Sequence, residues 1–248
     1  MRTKTLLLSA AALLAAGFVS TQAQPVYSQN IVGYANVPTP NSSTYYMLTI
    51  PFNIGVTNGA NEIWPLISPG HPSIPDGSSL LLWKSANQSF QTYISDSGSP
   101  SLWDDANFNN VPAPIVPVGQ GFFLNPAGSN LTNTFAGTVA VNVGVSNNMV
   151  FPNSSTYYMV GSVVPYAGAV TNGNNSTGGL NLNGLPDGSS LLTWNPATQK
   201  FQTYISDSGS PSKWDDANFN NLPSPPALNI GQGIFINLAG PYTWTVGL

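Results

Sequence analysis

Two short segments carry most of the side chains able to do chemistry. Ser95-Asp96-Ser97-Gly98-Ser99 resembles the neighbourhood of a serine nucleophile, and Trp103-Asp104-Asp105 sets two carboxylates beside a large ring. Both recur, around Asp207-Ser208-Gly209 and as Trp214-Asp215-Asp216. A serine nucleophile needs a histidine oriented by a carboxylate. The one histidine, His71, sits in a Pro-rich loop whose repeat is shorter and has none, so the serines read as Asx and Ser turns. Nor does His71 have a second His or any Cys with which to share a metal. Paired carboxylates could hydrolyse a glycoside if they faced each other across the sugar. Neighbours on an extended chain point to opposite faces, so one Asp-Asp pair does not meet that demand. The same carboxylates are oxygen donors of the kind calcium takes. Asp96, Asp104 and Asp105, with Asp207, Asp215 and Asp216, are the candidate calcium ligands, and calcium is the one cofactor considered. The remaining chemistry is stacking on a sugar. Trp103 and Trp214 lie in polar loops, and with Asp104, Asp105, Asp215 and Asp216 they are the candidate ligand-binding residues. Trp83 and Trp194 lie within apolar runs and read as core.

What the chain lacks narrows the list further. With no cysteine there are no disulfides, thiolate nucleophiles or Cys-based metal sites. Beyond residue 23 the only cations are Lys84, Lys200 and Lys213, and the formal charge of −4 becomes more negative once Arg2 and Lys4 are removed. Binding nucleic acid takes several Lys or Arg to displace phosphate counterions, and a polybasic membrane contact needs the same. Neither partner is expected. Only carboxylates remain as general acids or bases, and no catalytic residue is assigned.

The elements that carry these residues occur twice along the chain. Asn41–Met47 returns as Asn153–Met159, Pro75–Leu81 as Pro186–Leu192, and Phe90–Asn110 as Phe201–Asn221 with Lys213 in place of Leu102. Gly119-Gln120-Gly121 returns as Gly231-Gln232-Gly233. The offset of roughly 112 residues far exceeds a solenoid unit and marks a duplicated domain. Prolines and glycines are too dense for ordinary helices. Tyr45–Ile54 is rich in aromatic and β-branched residues, as a strand requires. Leu80–Trp83, a polar turn and Phe90–Ile94 read as a hairpin, and Phe122–Leu124 as a further strand. Val139, Val141, Val143 and Val145 alternate as an opening strand of the second copy, with 31–37 in that part in the first, and 104–108 could form a helical turn. The fold class expected is all-β: two tandem copies of a β-sandwich or small β-barrel domain, over residues 24–138 and 139–248.

The run Pro186-Asp187-Gly188, Trp194-Asn195-Pro196-Ala197-Thr198, Phe201-Gln202-Thr203-Tyr204, Trp214-Asp215-Asp216 and Gly231-Gln232-Gly233 resembles uncharacterised exported bacterial proteins built from tandem β-modules. Similar modules occur as non-catalytic appendages of large secreted proteins. The resemblance spans nearly the whole chain after residue 23, rests on turn residues and aromatics, and implies export and a β fold. It brings no catalytic residues with it.

The N-terminus agrees with export. Arg2 and Lys4 precede an uncharged apolar stretch, Leu6–Val19, followed by Thr21 and Ala23 at the −3 and −1 positions of a cleavage site. Residues 1–23 therefore read as a signal peptide, the apolar stretch being short for a membrane span. The protein is expected to be exported, to the periplasm, cell surface or extracellular space, without a membrane span in its mature form. The leading reading is a non-catalytic structural, adhesive or assembly protein contacting other surface proteins. The second is a carbohydrate-binding protein whose Trp-Asp-Asp loops hold a polysaccharide, and the third a secreted glycoside hydrolase. N-terminal sequencing of the exported protein should begin at Gln24; a chain beginning at Met1 would refute the signal.

Overall fold

Apolar residues occupy both parities of Leu80-Leu81-Leu82-Trp83 and of Phe122-Phe123-Leu124. Successive strand side chains point to opposite faces, so such strands must be covered on two sides. The computed structural model describes residues 32–55, 57–64, 66–68, 71–72, 74–140, 146–173 and 179–247. The proposed signal peptide lies outside them. In the first copy β1 (Val32–Thr39) and β2 (Tyr46–Thr49) precede a single helical turn, α1 (Ala60–Ile63), and the short β3 (Leu66–Ser68) and β4 (His71–Pro72). Then come β5 (Ser79–Lys84), β6 (Ser89–Ser95), β7 (Trp103–Asp105), β8 (Gly121–Asn125) and β9 (Leu131–Thr138). The second copy holds β10 (Ser146–Phe151), β11 (Tyr157–Val160), β12 (Gly168–Ala169), β13 (Ser190–Asn195), β14 (Lys200–Ser206), β15 (Trp214–Asp216), β16 (Ala227–Leu228), β17 (Ile234–Asn237) and β18 (Tyr242–Gly247). The fold is all-β.

Each copy centres on an open antiparallel sheet of five strands, in the order β2-β8-β5-β6-β7 and again β11-β17-β13-β14-β15. A two-stranded ribbon of the first and last strands, β1 with β9 or β10 with β18, forms a second layer. The core lies between ribbon and sheet, where Phe135 joins Leu80, Leu82, Phe122 and Leu124, all buried. Trp64, following α1, ties the layers by donating its indole N–H to Asn133 of β9 at 3.0 Å. Among the described residues no helix is long and apolar enough to cross a membrane.

One expectation about local structure changes, and another falls largely outside the described residues. Val139 is buried outside any strand, while Val141, Val143 and Val145 lie outside the described residues; the next strand, β10, pairs with β18 as β1 does with β9. In place of a helical turn over 104–108, β7 runs into a closed turn in which Asp105 N–H donates to the Asn109 carbonyl at 2.9 Å.

The sheet faces turned away from the two cores meet each other. Met47 and Phe123 of one copy pack with Met159 and Phe235 of the other, all four buried. The edges of the sheets meet as well. Thr49 N–H donates to the Gly231 carbonyl at 2.8 Å and, reciprocally, Gly161 N–H to the Gly119 carbonyl at 2.9 Å; Gly233 N–H adds a bond to Met47 O at 3.0 Å. The copies thus meet as the halves of a two-fold dimer do, each giving what it receives. Each buried side chain contributes about 1.5–3 kcal/mol, against about 0.5–1.5 kcal/mol net for each hydrogen bond. Apolar burial therefore holds the seam together, and the hydrogen bonds set its register.

The repeated Gly-Gln-Gly is what lets the backbones approach. Gly119 and Gly231 have φ of +78° and +75°, a region that glycine enters without a Cβ penalty. At the second glycines space is decisive. A Cβ on Gly233 would stand 2.7 Å from the Leu48 carbonyl oxygen, and one on Gly121 would stand 2.8 Å from the Val160 nitrogen. Gly121→Ala and Gly233→Ala should each lower the unfolding free energy by about 1–3 kcal/mol, the range of overpacking. Urea denaturation measures this; wild-type midpoints for both would contradict so close a seam.

Candidate functional site

The same alternation that builds the seam leaves a cleft beside it. Leu80 and Leu82 of β5 enter the first core, so Leu81 and Trp83 turn to the other copy, as Leu192 and Trp194 of β13 do in return. Across each hairpin Trp83 stands opposite Phe90 and Trp194 opposite Phe201, with ring centroids 4.8 Å apart in both pairs. Phe123 and Phe235 form the floor: Trp83 meets Phe235 edge-on at 5.1 Å, and Trp194 meets Phe123 at 5.1 Å. Phe90 and Phe201, 39 % and 41 % exposed, form the rims, and Tyr45 and Tyr157 complete the wall. The space enclosed is about 460 Å³ and open to solvent. Its lining consists of Phe, Trp, Tyr and Leu side chains alone.

Two glutamines hold the cleft in shape. Gln88 closes the β5–β6 turn with φ of +52°, and Gln199 closes the β13–β14 turn with φ of +54°. The Gln88 side-chain oxygen accepts Tyr157 N–H at 3.0 Å while its NH2 donates to Tyr157 O at 3.2 Å. Gln199 brackets Tyr45 in the same way, at 3.1 and 3.3 Å. Trp83 Nε1 donates to Tyr157 O at 2.8 Å and Trp194 Nε1 to Tyr45 O at 2.7 Å. The polar atoms of the two indoles are therefore spent between the copies, and only ring surface faces the cleft. One signal could have found the glutamines. The turns Lys84–Ser89 and Asn195–Lys200 differ at most positions, yet both keep Ala-x-Gln before the phenylalanine.

The residues singled out from sequence are placed otherwise. Trp103 and Trp214 are 0 % and 1 % exposed, buried in the cores, and cannot stack on a sugar. Trp103 packs 6.3 Å from the ring of Trp64. Each lies on a short strand whose inward face carries the largest side chain available, so a polar sequence context did not mean an exposed ring. Trp83 and Trp194, read as core, are the half-buried tryptophans that line the cleft.

Asp215 lies near enough to Asp207 and Asp216 to feel the charge of both. Among the described residues no group of three or more His, Cys, Asp and Glu is placed to hold a metal. Asp96 and Asp207 each accept a glycine N–H at 2.8 Å, from Gly98 and Gly209. Asp105 accepts Asn107 N–H at 2.8 Å and Asn109 N–H at 3.0 Å, and Asp216 treats Asn218 and Asn220 identically. Asp104 is buried and accepts the Ser99 hydroxyl. Asp215 is buried too, and its Oδ1 has no hydrogen-bond partner. Ser95 lies buried with its hydroxyl donated to the Pro75 carbonyl at 2.7 Å, and Ser97 donates to Asp76. These are turn bonds. The loops end in a different feature: Phe108 and Phe219, at φ of +60° and +61°, are 74 % and 72 % exposed.

No protein family, curated protein or solved structure matches the chain.

The carboxylates also tie stability to pH. Hydrogen bonds from Asn109 and Asn220 hold Asp105 and Asp216 below the usual carboxylate range, and the Ser208 hydroxyl and N–H do so for Asp187. Burial, then the charge of Asp207, pushes Asp215 up. A depressed group contributes stability that is present above its unfolded pKa of about 3.9 and is lost as pH falls through its folded value. Asp215 acts in the opposite sense, destabilising the fold once pH rises past its unfolded value. The three depressed groups should lower the melting temperature as pH falls below about 4, with Asp215 acting against them. In Asp105→Asn/Asp216→Asn that fall should be shallower, by thermal melts from pH 2 to 7. An identical acid limb would show that these bonds do not favour the ionised form.

Proposed function

We propose that this is an exported, non-catalytic protein that works by contact, in a structural, adhesive or assembly role at the cell surface or beyond it. The observation that carries the reading is the cleft, which both copies build together and which neither would possess alone. Concave sites of roughly 300–1,000 Å³ lined by apolar and aromatic groups are where proteins take apolar ligands. Exposed apolar surface of this kind marks interaction sites. Its lining carries no carboxylate, amine or imidazole to move a proton, which favours binding over turnover. A polysaccharide would need polar partners beside the rings. Trp103 and Trp214 are buried, and the cleft indoles already spend their N–H groups on Tyr45 and Tyr157.

The test uses N-phenyl-1-naphthylamine, an uncharged apolar dye that brightens on leaving water. Titration should saturate near one site per chain. Phe90→Ala and Phe201→Ala, which remove half-exposed rims and leave both cores intact, should each weaken binding about fivefold, the equivalent of roughly 1 kcal/mol of ring contact. Dye binding unchanged in both variants would remove the cleft as the contact site.

A further inference from the structure

We propose that the cleft receives the exposed phenylalanines of a second copy of this chain, so that copies join knob into cleft. The inference rests on the cleft being a contact site, and it names the occupant.

The knobs are Phe108 and Phe219, the two most exposed phenylalanines among the described residues. Neither is a loose side chain on a loose loop. Each sits in the left-handed region, where a bulky residue is strained. Each turn is closed by the phenylalanine N–H on the carbonyl of Asp105 or Asp216 at 3.0 Å, with that aspartate's carboxylate fastened to two further N–H groups. A ring displayed in a fixed direction loses little freedom on docking, which is what makes rigid aromatics effective anchors. The cleft offers the matching surface, ring faces and edges free of charge, against which a phenyl group packs in the offset and edge-on geometries that rings prefer.

Number agrees as well. The chain carries two equivalent knobs, and the cleft has two equivalent halves, one around Trp83 and Phe90 and the other around Trp194 and Phe201.

The knobs follow β7 and β15, the outer edges of the two sheets, whereas the cleft lies on the faces where the sheets meet. A knob in the cleft of a second copy is either answered by the reciprocal contact, which closes a two-fold pair, or repeated from copy to copy as a ring or an open series.

Sedimentation velocity of the exported chain at micromolar to millimolar concentration reads the outcome. Wild type should sediment faster as concentration rises. Phe108→Ser/Phe219→Ser, without knobs, and Phe90→Lys/Phe201→Lys, with charge set into the cleft, should each associate at least tenfold more weakly while melting cooperatively. Mixing the two should restore complexes that stay small, since only one kind of contact is then available. Wild type that remains monomeric at every concentration, or association that survives loss of the knobs, would overturn the proposal. If the chain is monomeric yet binds N-phenyl-1-naphthylamine, the cleft remains a contact site with another occupant. If it does neither, the functional reading falls with it.

Discussion

Everything distinctive in this protein depends on the reciprocal seam between its two β copies. Buried Met47, Phe123, Met159 and Phe235 supply the attraction, and the close backbone approach at Gly121 and Gly233 permits it. Without that approach the outer faces of both sheets would stand as large exposed apolar patches, which a chain with 6 % charged residues has little means of keeping soluble. Duplication solves this directly. A surface that would otherwise make a two-fold dimer finds its partner on the same chain, at the high effective concentration that a tether provides.

The seam also explains why the cleft is left open. Two twisted sheets meeting face to face do not match along their whole length; here they touch closely at β2, β8, β11 and β17 and leave the cleft between the two hairpins. Gln88 and Gln199 fasten each hairpin to the other copy by binding both backbone groups of the opposite tyrosine. The cleft's apolar chemistry follows from its origin, since its walls are the outer ends of the faces that form the seam.

The twinned acidic loops show how one motif divides its tasks. Along β7 the side chains alternate, so Trp103 fills the core, Asp104 is buried beside Ser99, and Asp105 is free to close the turn that displays Phe108.

Export apart, the sequence by itself determined the class of fold, the duplication and the main strands. Period-two alternation, turn residues and self-comparison are local or one-dimensional signals. The β5–β6 hairpin and the strand at Phe122–Leu124 were legible for that reason. The inventory of chemistry was legible too, since it needs only counting. The partner of each face was not. Leu81, Trp83 and Phe123 were apolar on the parity opposite the core, and that pattern announces a second covering layer without saying what provides it. Whether a tryptophan in a polar loop is a platform or a core residue depends on the layer above its strand, and Trp103 and Trp83 exchanged their expected roles on that account. Only tertiary structure decides such matters, because burial is a property of two surfaces meeting and a sequence describes each surface alone.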